Sequence, residues 1–461
     1  MNLIGLDIGT TSICGVLMDA ATGRVVKALN KPNASNLRSP HDWEFTQDVS
    51  SILSAVREIV AELRETAPDI RAIGVTGQMH GILYVDDNGD PVSPLFTWQD
   101  QRGNLPADGE LTYAERLRRL TGYAVSTGFG MVTHYYHVVN GSVPPRAASL
   151  CTIADYIAFK LAGRTKPVTD PTHAASLGVY RLEALAYDVE ALSKAGIDPG
   201  ILPEQAGSGQ IIGYTADGIP VAGAIGDNQA SFLGSVRDIA KTLLVNIGTG
   251  SQISVYSEQY IQAEEIDTRP FPGGGYLLVG ASLSGGKSYA LLERFFREVC
   301  ETFAGNDGST DLFDLMNRLA DPTDADESGL KVGTQFYGTR TDPDVRGSIE
   351  GIGPANFTPR NLVQGFLEGM IRELRRYYDG FPVSVKERLA SIVASGNGIR
   401  RNEALRRMLE RRFGFPLEMP QYPEEAACGA AVSAGVGCGL YTDYSRSSGE
   451  WTNGSRGDHD D

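Results

Sequence analysis

Residues 3–12 read LIGLDIGTTS: a short apolar run carrying one acid, Asp7, then a turn of Gly, Thr, Thr and Ser that leads into a second apolar run, ICGVLM, at 13–18. The same shape returns at 243–256 as LLVNIGTGSQISVY. One such turn is an ordinary hairpin signal. Two copies, at a constant offset of 239 residues in a 461-residue chain, predict a duplicated strand-turn-strand unit and a domain boundary near residue 236.

The surrounding pattern agrees with an α/β chain. Strand-like apolar runs at 3–19, 70–76 and 81–85 alternate with helical periodicity at 48–65, DVSSILSAVREIVAELRE, where Ile52, Val56, Ile59, Val60 and Leu63 share one face. The second half repeats the plan, with paired runs at 241–257, a Gly-rich stretch at 273–286, helical segments at 287–303 and 361–379, and strand, turn and helix at 390–412. The expected domains are 1–236 and 237–440. After Leu440 the sequence YTDYSRSSGEWTNGSRGDHDD loses its periodicity and is rich in Ser, Gly and Asp, so 441–461 is expected to be a disordered tail.

Composition narrows the function. The length and a hydrophobic fraction of 41% suffice for the cores of two domains. A net charge of -16 argues against a nucleic-acid partner, because phosphate backbones select basic faces. No apolar run approaches the roughly 20 residues that span a bilayer, and no basic lead precedes the first strand, so a cytoplasmic protein without a membrane partner is expected. Five scattered cysteines without a C-x-x-C pair suit a reducing compartment and indicate neither a disulfide framework nor a zinc site. His134 and His137 lie three apart but lack a carboxylate or cysteine at ligand spacing, which favours packing. No interface pattern indicates an oligomeric state.

A Gly-Thr hairpin exposes backbone N–H groups and hydroxyls around a concavity that an anion can enter, because glycine leaves no side chain in the way. Two such turns facing one cleft can hold a polyphosphate from both sides. Only the first copy ends its strand in an acid, Asp7, where the second has Asn246. A carboxylate beside phosphates is reasonable when Mg²⁺ lies between them. The run GIPVAGAIGDNQA, 218–230, places Asp227 at the carboxyl end of a strand, where α/β folds build sites, or as the cap of the next helix. Gln78, Met79 and His80 follow the strand RAIGVTG, and such a set suits a polyhydroxylated ligand, although His80 alone also fits a core histidine. Trp98 offers an indole face, or a core side chain, and Asp100 an acceptor. A P-loop decoy at 277–296, LLVGASLSGGKSYALLERFF, fails on spacing: the motif needs Gly at 281, where the chain has Ala281.

With a third Gly-rich element, ASGNGIRRN at 394–402, the two turns resemble the actin-like ATPase fold of hexokinases and sugar kinases. VTGQMHG at 75–81, TWQDQR at 97–102, GDNQAS at 226–231 and EEAACGAA at 424–431 narrow the resemblance to the FGGY carbohydrate kinases, over residues 1 to about 440. That resemblance implies two actin-like, ribonuclease H-like domains around a central cleft, the first binding sugar and the second ATP. It implies transfer of the γ-phosphoryl group of ATP to a sugar hydroxyl, with Mg²⁺ held at Asp7 and Asp227 as the base. Gln78, Met79, His80, Trp98, Asp100 and Asn228 would meet the sugar. Gly9, Thr10, Thr11, Gly248, Thr249 and Gly250 would hold the phosphates, Gly286 would lie near the phosphates or ribose, and Gly396 and Asn397 would meet the adenosine. Glycerol kinases resemble Gln-Arg-Glu where this chain has Gln-Met-His, which points to a ketose. TWQDQR, STGFG at 126–130, CTIADY at 151–156 and GDNQAS resemble the sedoheptulose-phosphorylating branch, with Phe129 either shaping the room for a longer sugar or packing in the core. A kinase for xylulose, ribulose or another polyol, and an actin-like ATPase switch, remain open alternatives.

Overall fold

The hairpin read from 3–18 is the centre of the first sheet. β1 (Asn2–Ile8) pairs antiparallel with β2 (Ser12–Asp19), which pairs antiparallel with β3 (Val25–Pro32), while β4 (Ile70–Gly77) lies parallel to β1 on its other side. β5 (Ile211–Tyr214), β6 (Pro220–Ala222) and β7 (Ile225–Gly226) complete the sheet, in the order β5-β6-β4-β1-β2-β3 with β7 also on β4. β1 is covered on both faces, which is why it reads as an almost unbroken apolar run. The computed structural model describes residues 1–305, 311–320, 329–339, 342 and 344–444.

The second sheet contains β8 (Thr242–Ile247), β9 (Ser251–Ser257), β10 (Asp267–Pro270), β11 (Tyr276–Ser282), β12 (Ser391–Ser395) and β13 (Leu417–Glu418), in the order β10-β11-β9-β8-β12-β13. Its core reproduces the first sheet: β11-β9-β8-β12 has the same antiparallel, antiparallel, parallel sequence of pairings as β3-β2-β1-β4. The register extends the match beyond the turns. Asp7 stands beside Thr76 and Asn246 beside Ser395, so Gly77-Gln78 in one domain occupies the place of Gly396-Asn397 in the other. Both glycines let the chain pass tightly over the strand next door: a Cβ on Gly77 would lie 2.8 Å from the Ile8 carbonyl, and one on Gly396 2.5 Å from the Ile247 carbonyl.

Helices cover the sheets where the periodicity placed them. α1 (Val49–Thr66) starts at Asp48, whose carboxylate accepts from the Ser50 and Ser51 amides, and it buries Ile52, Val56, Ile59, Val60 and Leu63. α2 (Asp227–Ser235) follows β7 directly, α3 (Gly286–Ala304) follows β11, and α4 (Pro359–Gly380) fills the second core with α5 (Glu403–Phe413). A separate apolar cluster formed within 82–202 carries the loops around Trp98 and Phe129. All five cysteines are free, and among the described residues no helix is long and apolar enough to cross a membrane.

The last helix, α6 (Glu425–Gly437), follows the second sheet in sequence yet packs on the first, over Leu3, Cys14, Val16 and Ala72. Its approach is backbone to backbone. A Cβ on Gly5 would lie 1.8 Å from the Ala427 carbonyl, one on Gly74 1.9 Å from that of Ala430, and one on Gly234 of α2 1.9 Å from that of Glu425. The tail expected from 441 does not begin there. Tyr441 is buried and its hydroxyl donates to the Ala20 carbonyl at 2.9 Å, and the buried Tyr444 shares a 3.0 Å hydrogen bond with Ser433. An aromatic ring that finds an apolar seat and a hydroxyl partner orders the segment despite its polar composition. The rest of that tail, 445–461, lies outside the described residues.

Since these contacts are with backbone that cannot step aside, Gly5→Ala and Gly74→Ala are each expected to lower stability by about 1–3 kcal/mol or more. Gly207→Ala, where an added Cβ meets nothing within 4 Å, should stay within about 0.5 kcal/mol of the parent when all three variants are compared by urea titration.

Candidate functional site

The ends of β8 and β12 separate two cavities. A cavity of about 420 Å³ opens on one side, floored by Asp7, Gly9, Thr10, Asp227 and Asn228 and walled by Gln78, Met79, His80 and Trp98, with Asn246, Gln252 and Ser395 opposite. A cavity of about 760 Å³ opens on the other, with Gly248, Thr249, Gly286, Lys287, Gly396 and Asn397 in its lining. Successive residues divide between them: Asn246 and Ser395 face the first, Ile247 and Gly396 the second. The strand ends are thus a partition, with groups suited to a polyol and carboxylate chemistry on one side and a glycine-lined chamber on the other.

Two carboxylates share the first cavity. Burial pushes the Asp7 carboxyl up to about 7, with the negative charge of Asp227 adding to the effect. Burial likewise pushes Asp227 up to about 6, while the Arg269 guanidinium and hydrogen bonds from Asn228 pull it back. Asp227 is the first helical residue of α2 and Gly226 is the cap, so the capping reading does not hold. Gly226 is fixed by its amide, which donates to the Thr172 hydroxyl at 2.7 Å. Asn228 Nδ2 donates to Asp227 Oδ1 at 2.9 Å and lies 3.8 Å from the Met79 sulfur.

Hydrogen bonds tie the first turn to the motifs around it. Gln78 Nε2 donates to Gln47 Oε1 at 2.9 Å, Gln47 Nε2 donates to the Thr10 carbonyl at 2.9 Å, and Thr10 Oγ1 lies 3.3 Å from Gln78 Oε1. The Trp98 indole donates to Thr10 Oγ1 at 2.9 Å, and with 46% of its surface exposed it is a wall of the cavity, not a core residue. Gly128, at φ +83°, supports that wall: a Cβ there would lie 2.0 Å from the Trp98 carbonyl. His80 has φ +72°, a conformation uncommon outside glycine that costs about 1–3 kcal/mol and is typical of functional sites. Its Nδ1 lies 2.7 Å from the Ser176 carbonyl and its ring packs 4.6 Å from that of Phe129. Phe129 is half-buried beside a further cavity, so neither of its two sequence readings excludes the other.

Three expected site residues stand elsewhere. Asp100 is fully buried and faces neither cavity; its oxygens bind Arg102 Nε at 2.6 Å, Arg102 Nη2 at 3.0 Å, and the amides of Phe45 and Arg102. It anchors the loop that presents Trp98, because a buried guanidinium two residues away claims its charge. Thr11 is exposed at the rim of the first turn and faces neither cavity. Gly250 lies beneath the second turn, where a Cβ would come 2.7 Å from the Ser282 carbonyl. Its role is to let the turn close. Conversely, Gln47, Gln252 and Ser395 reach the site or its hydrogen bonds although none of them was expected there from the sequence: Gln47 comes from a segment without a motif, Gln252 follows the second turn, and Ser395 lies at the start of the third Gly-rich element.

Asp7 fits a magnesium ion. Among the described residues no group of three or more His, Cys, Asp or Glu side chains is arranged to hold a metal, whereas Mg²⁺ characteristically takes one or two carboxylates with phosphates and water. A cation would also relieve the repulsion between Asp7 and Asp227.

Comparison with known proteins bears on the family and the fold. The profile of the FGGY family of carbohydrate kinases, N-terminal domain, matches residues 2–234, and that of the C-terminal domain matches 243–438. The chain is 28% identical to the sedoheptulokinase of Mus musculus, over 93% of this chain and 96% of that protein. It is 25% identical to the glycerol kinase of Bacillus subtilis, over 97% and 92%. The crystal structure of a xylulose kinase from Rhodospirillum rubrum superposes with a TM-score of 0.82 at 23% identity, covering 98% of this chain and 92% of that one, which establishes a shared fold of two actin-like domains around the cleft.

Removing Asp100 would leave the buried Arg102 with the partly exposed Glu44, at 3.1 Å, as its one remaining carboxylate among the described residues. Asp100→Ala is therefore expected to cost about 3–5 kcal/mol in equilibrium denaturation. A loss under 1 kcal/mol would contradict the anchoring role.

Proposed function

The chain belongs to the FGGY family of carbohydrate kinases, and from that premise we propose that it transfers the γ-phosphoryl group of MgATP to the terminal primary hydroxyl of a ketose, with sedoheptulose preferred. The observation that carries the proposal is the position and state of Asp227. It stands on the cavity floor between the Gln-Met-His wall and the strand-end partition, and desolvation holds its carboxyl near 6. A base whose pKa is close to the working pH accepts a proton efficiently as the hydroxyl attacks.

In this reading Asp227 takes the hydroxyl proton as the sugar oxygen attacks in line, and Asn228 keeps the carboxylate oriented. Gln78, Met79 and His80 position the sugar, and Trp98 closes one side against water, which would otherwise compete as acceptor. The amides and hydroxyls of Gly9, Thr10, Gly248 and Thr249 hold the phosphates from both domains, while Gly286, Gly396 and Asn397 receive the nucleoside. Asp7 would hold Mg²⁺, whose charge offsets that of the phosphates. Sedoheptulose is favoured by Gln-Met-His at 78–80, by the agreement of TWQDQR, STGFG, CTIADY and GDNQAS with that branch, and by the similarity to a sedoheptulokinase.

Asp227→Asn is expected to lower kcat by about 10²–10⁴-fold with the KM for ATP little changed; near-normal turnover would remove Asp227 from the role of base. In a panel of sedoheptulose, xylulose, ribulose, aldoses and glycerol compared by kcat/KM with MgATP, sedoheptulose should lead. Preference for glycerol or a five-carbon ketose would overturn the substrate but not the chemistry, and ADP release indifferent to every polyol would favour an ATPase switch.

A further inference from the structure

A second pocket continues from the sugar wall. It has a volume of about 300 Å³ and shares Met79 and His80 with the cavity of Asp7 and Asp227. Its far side is built by Phe129 and Tyr180 from the first domain and by Arg269 from β10, the edge strand of the second sheet. The sequence around it, Asp267-Thr268-Arg269-Pro270, carries no motif.

Arg269 is an unusual occupant of such a wall. Its side chain is only 16% exposed, and among the described residues its one ion pair is to Asp267, at 3.1 Å. Nε and Nη1 carry no hydrogen bond among the described residues, in a pocket whose other walls include apolar and aromatic side chains. A largely enclosed guanidinium that borders a cavity with unused donors is suited to oxygen acceptors from a ligand. Its position is also set relative to the reacting end: Gln229 Nε2 of α2 donates to the Pro270 carbonyl at 2.9 Å, two residues from Asp227 on the helix and one residue from Arg269 on the strand.

We propose that Arg269 recognises the end of the sugar remote from the reacting hydroxyl, so that the ATP-binding domain, and not the sugar-binding domain alone, reads the length of the ketose. The inference rests on the kinase reading above. With the reacting hydroxyl at Asp227, the chain passes Met79 and His80 and the carbonyl and hydroxyl oxygens at its far end meet the guanidinium. The neighbouring charge favours a neutral polyol over a sugar acid: Asp267 already balances Arg269, and Asp227 lies within its electrostatic reach. A five-carbon ketose placed with its terminal hydroxyl at Asp227 is two carbons shorter and leaves those donors without the ligand's oxygens, which a pocket partly shielded from water penalises.

The test is the ratio of kcat/KM for sedoheptulose to that for xylulose, each with MgATP, in the parent enzyme, Arg269→Met and Arg269→Lys. Methionine keeps much of the apolar stem, and lysine keeps the charge near Asp227 without the planar fork. Both variants should lower the ratio by about tenfold or more, chiefly through the KM for sedoheptulose. A ratio unchanged in Arg269→Met while both sugars still turn over overturns this inference alone. Full restoration by lysine overturns recognition by the fork, and a parent enzyme that prefers a sugar acid to every ketose overturns the polyol assignment. A parent enzyme that phosphorylates no sugar overturns the kinase reading and this inference together, whereas a parent preferring xylulose whose ratio still falls in both variants supports the role of Arg269 and rejects sedoheptulose.

Discussion

The close approach of α6 to the first sheet is the constraint on which the two-domain arrangement depends. A helix of Ala, Gly, Cys, Ser and Val lies against β1, β4 and α2 at distances that leave no room for a Cβ on Gly5, Gly74 or Gly234. It does so although it comes after the second sheet in the chain, so it joins the halves instead of finishing one of them. The strand that carries Asp7 and the helix that begins with Asp227 are both held by this contact. Interfaces made of backbone and small side chains have few alternative packings, because nothing in them can change rotamer. The carboxylates of the cleft thereby stand on elements with little freedom to repack.

Duplication supplied the second half of the site and divergence gave each half its task. The two sheets share pairing order, turn and register, and a glycine crosses the neighbouring strand end at 77 in one and at 396 in the other. Beyond that glycine the two chains diverge. The first domain continues with Gln78, Met79 and His80 into the cavity with the carboxylates, and the second continues with Asn397 into the glycine-lined chamber. Asn246 replaces Asp7 for a related reason. Its Nδ2 donates to Ser395 Oγ at 2.7 Å, which builds the partition without adding a third negative charge.

Electrostatics in the cleft arise from burial more than from ion pairing. Desolvation is the largest influence on both Asp7 and Asp227, and their mutual repulsion raises Asp7 further. Such a pair is costly in an empty cleft and becomes favourable once a cation and a proton donor are present, which is the condition of a phosphoryl transfer. Arg269 moderates the cost at Asp227 from the other domain, and Asp100 and Arg102 carry out a separate, structural pairing behind Trp98. Two arginine-acid pairs so close to one cleft have different tasks because Arg102 is enclosed, with aromatic rings and two carboxylates around it, whereas Arg269 borders a cavity.

Local pattern was enough for the α/β class, the duplicated turn and α1, since periodicity and a capping Asp48 are properties of neighbouring residues. Asp7, Gln78, Met79, His80, Trp98 and Asp227, grouped in the sequence reading by resemblance to the FGGY kinases, do line one cavity, and each lies at or just after a strand end. Asp100 was misread because an acid in a motif looks the same whether it faces a ligand or a guanidinium two residues on. Tyr441 and Tyr444 were misread because composition averages over a segment and a single well-seated ring does not. Arg269 and Gln47 had no local signature at all. Their roles arise where β10 meets the helix of Asp227 and where the first turn meets a glutamine from a remote strand, and only the tertiary structure decides such meetings, because they depend on how two sheets far apart in sequence are set against each other.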